Sequence, residues 1–469
     1  MDKQLIFPMA EKYQEYVIDE SKFTGYADSI SFPETEEEII EIVKTLRQTD
    51  TGITIQSGKT GIVGGSVPQG GHIMNLSQMK RVGDSQEMPD GSARLTVEPG
   101  LNLMELNKEI GRIFRKNPVL WPPQPTETSA TLGGIISAAA KGINGCHYGD
   151  SRKYVAQIRM VLSDGTVKIL KRDQDSKEMD LILGGEGIYG VIDEAVLILV
   201  PKPESVWGIS FFFENKQDIE CFTMALAGLQ PEGNGFITAA EYLDRIVLDL
   251  IEQRKSTMTK IKDLPDIDKR FAGMVYLEIS GLEEDVELLA EKLMEMAVEC
   301  NSDPEEAWAV TGESEIDKMH AFRHGAAEVT NLYIEEARKD DSRITKLGTD
   351  MQLKDISFGE MIAMYEGDIR AKGLTGCIFG HLLEGHLHVN ILPADYEEYK
   401  KGKELLEDWA KRAGQGQNQI AAEHGIGKLK AHLTDFILTK EQQTTVKTLK
   451  KKYDSAGMWN QGNIFPEGR

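Results

Sequence analysis

The densest chemistry in this chain lies between Gly380 and Lys428. The segment GHLLEGHLHVN carries His381, His386 and His388, and EHGIG adds Glu423 and His424. Four of the nine histidines therefore fall within 44 residues, so the cluster is not background composition. Two residues apart on a strand, His386 and His388 would share a face. Two imidazoles with a carboxylate form a usual ligand set for a catalytic divalent metal that keeps open positions. A lone strand histidine is more often core or surface, but clustering shifts the balance toward a metal. Arg323, in HAFRHGAAE, and Lys346 lie in the same third of the chain. A planar guanidinium suits a carboxylate. On residue type alone, both cations read as solvated surface charges.

Glycine is the second signal. SGKT at Ser57–Thr60 invites a phosphate-loop reading, but that motif needs glycine where Ile53 stands. What remains is a short strand feeding a turn with Gly58, Gly61, Gly64 and Gly65. Such a turn can aim backbone N–H groups at an anion, and it is equally good as a plain structural turn. GEGIYG, from Gly185 to Gly190, fits G-x-G-x-x-G, yet the strand-like VIDEAVLILV follows it instead of a helix. A dinucleotide fingerprint must run into a helix, so a flavin wall or a simple turn is the better reading.

The elements that must position these residues follow from pattern. TEEEIIEIVKTLRQ has helical apolar spacing behind Thr35, with Glu38 three residues on as a capping box. Strands are expected at 52–56, 93–98, 158–162, 166–170 and 195–200, with Asp164-Gly165 as a hairpin turn. Helices are expected at 103–114, over the small-residue run IISAAAKG, and over the lysine-rich 440–453. Pro201 and Pro203 punctuate the chain. Beyond them, strands such as WGISFFF and GMVYLEIS alternate with long charged helices, the pattern of an α+β domain with an antiparallel sheet.

At 469 residues, two or three domains are expected. A net charge of -23 argues against nucleic acid and anionic lipid as partners. The opening MDKQLIFPMAEK does not read as a signal peptide, and no apolar run approaches a membrane span. Cys146, Cys221, Cys300 and Cys377 are widely spaced and fit reduced thiols of a cytoplasmic protein.

In order along the chain, FPETEEEIIEIVK, QSGKTGIVGGSVP, TSATLGGIISAAAKGINGCHYG, GGEGIYGVIDEAVL, GHLLEGHLH, AAEHGIG and WNQGNIF resemble the motifs of one family. It comprises flavoproteins of the vanillyl-alcohol-oxidase/PCMH fold, in the branch of D-lactate dehydrogenase, glycolate oxidase large subunit and D-2-hydroxyglutarate dehydrogenase. The resemblance runs from about Phe32 to Phe465. It implies an α+β architecture: an N-terminal extension (1–31), a two-subdomain FAD-binding domain (32–203), a substrate or cap domain with the metal motif (204–420), and a C-terminal segment returning to the FAD domain (421–469).

The resemblance also implies roles. FAD would contact Gln56, Ser57, Gly58, Lys59, Thr60, Gly61, Gly64, Gly65 and Ser66 in the first loop. Thr131, Gly133, Gly134, Ser137 and Tyr148 would follow, then Glu186, Gly190, Val191, Ile192 and Asn460. Lys59 and Thr60 stand where covalently flavinylated relatives place a histidine, so FAD is expected to be non-covalent. His381, His388 and Glu423 would bind one divalent ion (zinc, iron or manganese), with His386 left open. His424 would be the base, Arg323 would grip the substrate carboxylate, and Lys346 and Asn390 would assist. The implied activity is oxidation of a small 2-hydroxycarboxylate with hydride passing to flavin N5. Electrons would leave to an electron-transfer flavoprotein or another soluble acceptor, and a homodimer is one candidate assembly. Another alcohol as substrate, or a catalytically silent flavin-binding subunit, stays as the alternative. Departures are Lys59 in the flavin loop, Ile135 for Asn, Gln461 for Pro, Glu384 for Asp, and His386 for Asn in the metal motif.

Overall fold

The computed structural model describes residues 3–230, 233–414 and 417–466. The chain divides into two compact units. One comprises the residues up to Gly142, Gly149–Lys202 and the segment from Glu423 onward, and the other Ile143–Tyr148 and Pro203–Ala422.

The first unit holds two sheets. In the smaller, Ser29–Ser31, His72–Asn75 and Ile53–Gln56 run parallel, and Phe7–Pro8 adds antiparallel at the edge. In the larger, the strands Val82–Glu87, Ala93–Val97, Val191–Pro201, Val155–Val161 and Val167–Lys171 pair antiparallel in that order, and Val119–Leu120 also pairs with Val191–Pro201. Gly165 turns the hairpin with φ +78°. The helix Glu36–Arg47 buries Ile39, Ile42, Val43 and Leu46, the stripe that a 3.6-residue period lays on one face. Thr35 Oγ1 accepts the Glu38 N–H at 3.3 Å, but the Glu38 carboxylate turns to the N–H of Glu34 and to Lys3, so the expected box is half formed. The helix Leu103–Ile113 has the reciprocal version, between Asn102 and Glu105. The small-residue run makes a helix only over Leu132–Ser137. Ala139 is left-handed there, and the Ala140 N–H returns to the carbonyl of Ile135, closing the helix early.

The second unit is an eight-stranded antiparallel sheet. Its order is Trp308–Thr311, Ser205–Phe213, Gly273–Gly281, Phe236–Asp244, Gly376–His381, His386–Ile391 and Leu347–Gly348, with Met351–Gln352 also on His386–Ile391. Its central strands are buried on both faces. Phe212 packs edge-on against Trp308 and tilted against Phe271 on one face, where the helices Arg245–Arg254 and Glu313–Asp340 lie. Phe211 and Phe213 pack on Phe222 of the helix Lys216–Ala227 on the other.

That second face corrects the expectation of four reduced thiols. Cys221 and Cys300 form a disulfide, with Cα atoms 5.8 Å apart. The helices Lys216–Ala227 and Glu283–Glu299 lie side by side over the sheet and bring together two residues 79 apart in sequence. Cys146 and Cys377 are free. Among the described residues, no helix is long and apolar enough to cross a membrane.

Candidate functional site

Strand parity assembles a polar cluster on the face covered by the helix Glu313–Asp340. Tyr276 and Glu278 alternate inward with Met274, and Glu241 stands opposite Tyr276. His381 stands opposite Glu241, and His386 opposite His381. His388 and Asn390 follow at intervals of two, so all seven polar side chains share one face with Met274. The three imidazoles converge. Their ring centroids are 5.4 Å apart for His381 and His386, 5.7 Å for His381 and His388, and 4.6 Å for His386 and His388. Each ring offers a ligand nitrogen within 4.8 Å of those of the other two.

Glu241, which sequence reasoning missed, organises this face. Its Oε1 lies 2.5 Å from His381 Nδ1, and its Oε2 accepts Arg323 Nε–H at 2.8 Å. Burial pushes the Glu241 carboxyl up, but Arg323 and His381 together outweigh that and hold it at about 2. Arg323 is 5% exposed, so the surface-charge reading does not hold. Its terminal nitrogens have no hydrogen-bond partner among the described residues. The same helix sends His320 Nε2 to Glu278, which also accepts the Tyr276 hydroxyl at 2.7 Å. Burial alone would lower the His320 pKa, and Glu278 raises it instead. Lys346 Nζ donates to Asn331 Oδ1 at 2.9 Å, and burial pushes its pKa down to about 8. Asn390 is buried beside Gly348, its strand partner.

A divalent ion fits these donors. His388 Nδ1 faces the Thr349 carbonyl at 3.3 Å, and His381 Nδ1 faces Glu241. Each ring thus has one nitrogen on an oxygen acceptor, the backing that orients metal-ligating histidines.

In the first unit, the strand Ile53–Gln56 feeds the glycine loop. Gln56 Nε2 donates to the carbonyls of Tyr16 and Ser66, which pins the loop. The Gly58 N–H reaches Thr131 Oγ1 at 3.4 Å, joining the loop to the turn before Gly133 and Gly134. A Cβ on Gly61 would meet nothing within 4 Å. The Ser57 and Ser66 hydroxyls are buried without a partner among the described residues. Open backbone beside orphaned buried donors fits a polyoxygen ligand such as the FAD pyrophosphate. Lys59 turns its ammonium to the Glu15 carbonyl and the Tyr16 ring, leaving only its backbone for a cofactor.

The remaining expected flavin contacts are placed as follows. The Ser137 carbonyl accepts the N–H of Glu186, and Gly190, Val191 and Ile192 lead into the strand Val191–Pro201. The half-buried Glu186 carboxylate accepts the N–H groups of Ile426 and Gly427 at 2.6 and 2.7 Å, so it straps down the turn that follows His424. Asn460 joins the Ile55 N–H to the Glu186 carbonyl. Glu423 accepts the Gly142 N–H at 3.2 Å within this unit. Tyr148 falls in the segment that groups with the second unit.

A family model described as the FAD binding domain matches residues 27–171, and one described as the C-terminal domain of FAD linked oxidases matches residues 225–464. The chain belongs to the FAD-linked oxidases. It is a flavin-dependent oxidoreductase with FAD as its cofactor. This FAD-linked oxidase is 25% identical to the glycolate oxidase subunit GlcD of Bacillus subtilis, over 95% of the chain and 90% of that protein. It is 25% identical to a D-lactate dehydrogenase of Anaerostipes hadrus, over 91% of the chain and 87% of that protein. The D-2-hydroxyglutarate–pyruvate transhydrogenase DLD3 of Saccharomyces cerevisiae is 24% identical, over 94% of the chain and 86% of that protein. Its fold is that of p-cresol methylhydroxylase, with TM-score 0.74, 15% identity, and coverage of 98% of this chain and 94% of the other. 4-Ethylphenol oxidase from Gulosibacter chungangensis gives TM-score 0.71 at 17% identity, with 99% and 95% covered. The expected PCMH-type α+β fold is thereby shown.

Proposed function

We propose that this FAD-linked oxidase is a dehydrogenase of a small 2-hydroxycarboxylate, of the D-lactate, glycolate or D-2-hydroxyglutarate kind, yielding the 2-oxo acid. The observation that carries the reading is one buried sheet face that gathers metal-type imidazoles with a buried guanidinium whose terminal nitrogens are unused. A cation fork beside a Lewis-acid site is what a 2-hydroxycarboxylate asks for. The names of the curated relatives point the same way.

Bound FAD supplies the two-electron acceptor for the C2 hydride, and a divalent ion supplies the Lewis acidity that makes the 2-hydroxyl easier to deprotonate. The chain's residues do the rest. Arg323 holds the substrate carboxylate in two directions through its planar fork. Lys346 adds a second cation, and Asn390 a polar contact. His381 and His388 hold the ion, with Glu423 as the third ligand on the strength of the EHGIG motif. His424 takes the hydroxyl proton as the general base. FAD is held non-covalently, and the electrons pass to a carrier such as an electron-transfer flavoprotein.

Two variants separate holding the ion from taking the proton. His388→Ala lowers metal content while FAD stays bound. His424→Ala keeps metal and FAD and slows anaerobic flavin reduction about a hundredfold or more. Equal metal loss in both would make His424 a ligand and overturn the assignment of roles.

A further inference from the structure

His386 replaces the asparagine of the metal motif this chain resembles, and it is not a neutral filler. It is fully buried, and neither ring nitrogen makes a hydrogen bond among the described residues. Contrast His72, equally buried, whose Nδ1 and Nε2 meet the hydroxyls of Ser29 and Ser31 at 2.8 and 2.7 Å. That is how this protein satisfies a core histidine. A buried imidazole left without such partners is penalised unless something absent from the polypeptide completes it.

The surroundings of His386 are those of a ligand. It pairs across the strands with His381 and precedes His388 by two, on the same face. Its Nε2 stands 3.3 Å from Asp350 Oδ1. His381 is backed by Glu241 and His388 by the Thr349 carbonyl, whereas Asp350 stands near His386 without a hydrogen bond to it. Each ring offers one nitrogen to a shared centre, and these ligand atoms lie within 4.8 Å of one another. Backing by a carboxylate or carbonyl fixes the ring and its tautomer, and it raises the basicity of the coordinating nitrogen.

We propose that His386 is a further metal ligand, so that this chain holds its divalent ion on three imidazoles. The inference rests on the metal site of the preceding reading and deepens it. Three neutral nitrogen donors favour a borderline transition ion such as zinc or cobalt over magnesium, calcium or manganese, which prefer oxygen. The third imidazole also fills a position that two histidines and a carboxylate would leave to water or substrate, so the open part of the site narrows.

The test uses the FAD-loaded full chain with zinc and cobalt as probes. In chelator competition, His386→Asn should weaken zinc binding at least about tenfold to a hundredfold, the range seen when even outer partners of such histidines are removed. The visible bands of the cobalt-substituted protein should shift, while flavin absorbance is retained. The control is His388→Ala. If His388→Ala loses zinc while His386→Asn keeps the wild-type affinity and cobalt spectrum, His386 is a core residue and the inference fails alone. If His388→Ala also keeps its zinc, the metal reading falls, and the inference with it. Should His386→Asn fail to fold, the cobalt-loaded wild-type protein still decides. Three hyperfine-shifted exchangeable imidazole N–H signals support the third ligand, and two overturn it.

Discussion

Glu241→Gln is the most informative perturbation of the second unit. The carboxylate is 1% exposed and Arg323 is 5% exposed, so neither group can fall back on water when its partner changes. Neutralising Glu241 leaves the guanidinium buried with its Nε facing an amide, and it removes the charged acceptor behind His381. Breaking a buried pair from one side costs about 3–5 kcal/mol, because the surviving charge keeps its desolvation penalty. Glutamine retains a neutral acceptor, so the lower half of that range is expected. For a unit of this size, about 3 kcal/mol lowers Tm by roughly 6–12 °C. The assay is thermal unfolding of the FAD-loaded protein, followed by far-UV circular dichroism at several scan rates. The double variant Glu241→Met/Arg323→Met should recover most of the loss, since a buried pair replaced by apolar residues of similar volume is often neutral or stabilising. A Tm change within about 2 °C for Glu241→Gln, or a double variant no better than the single, would refute the idea that Glu241 balances a buried charge.

Two further outcomes concern the first unit. His72 is buried between two serines, and burial pushes its pKa down to about 3 from the ordinary 6.5. The unfolded chain therefore binds the extra proton first, and this contribution is lost as pH falls from about 6.5 toward 3, by up to about 5 kcal/mol. Denaturant unfolding across that range should be visibly flatter in His72→Asn, and an unchanged slope would contradict the assignment. Glu186→Ala leaves the amides of Ile426 and Gly427 without their acceptor. Hydrogen exchange at those two amides should accelerate by about tenfold or more while the strand Ala93–Val97 keeps its protection. Unaltered exchange would show that the turn after His424 is held by other contacts.

Period-2 alternation alone puts His386 and His388 on one face of a strand, and the pairing of that strand with its neighbour adds His381. The apolar-periodic helices and the Asp164-Gly165 hairpin likewise follow from local rules. What escapes is long-range charge pairing. Arg323 reads as a surface cation because its partner Glu241 lies 82 residues earlier, inside the apolar run FITAAEYL. One acid within a buried strand is the available sign, and Glu278 in GMVYLEIS repeats it. Such a residue asks for a buried partner, but nothing in its neighbours says which. The Cys221–Cys300 disulfide is hidden for the same reason, since its geometry depends on two helices settling side by side on one sheet face. The early stop at Ala139 shows the opposite limit, where helix propensity yields to a local backbone closure.

The most direct test of the proposed activity is anaerobic flavin bleaching across a panel of hydroxy acids, using purified FAD-loaded protein supplemented with zinc. D-lactate, L-lactate, glycolate, D-2-hydroxyglutarate and a simple alcohol without a carboxylate would each be added to the yellow enzyme. At least one 2-hydroxycarboxylate should discharge the visible flavin band, the simple alcohol should not, and Arg323→Lys should slow the bleaching. Yellow protein that no 2-hydroxycarboxylate bleaches, or that the simple alcohol bleaches as well, would contradict the account.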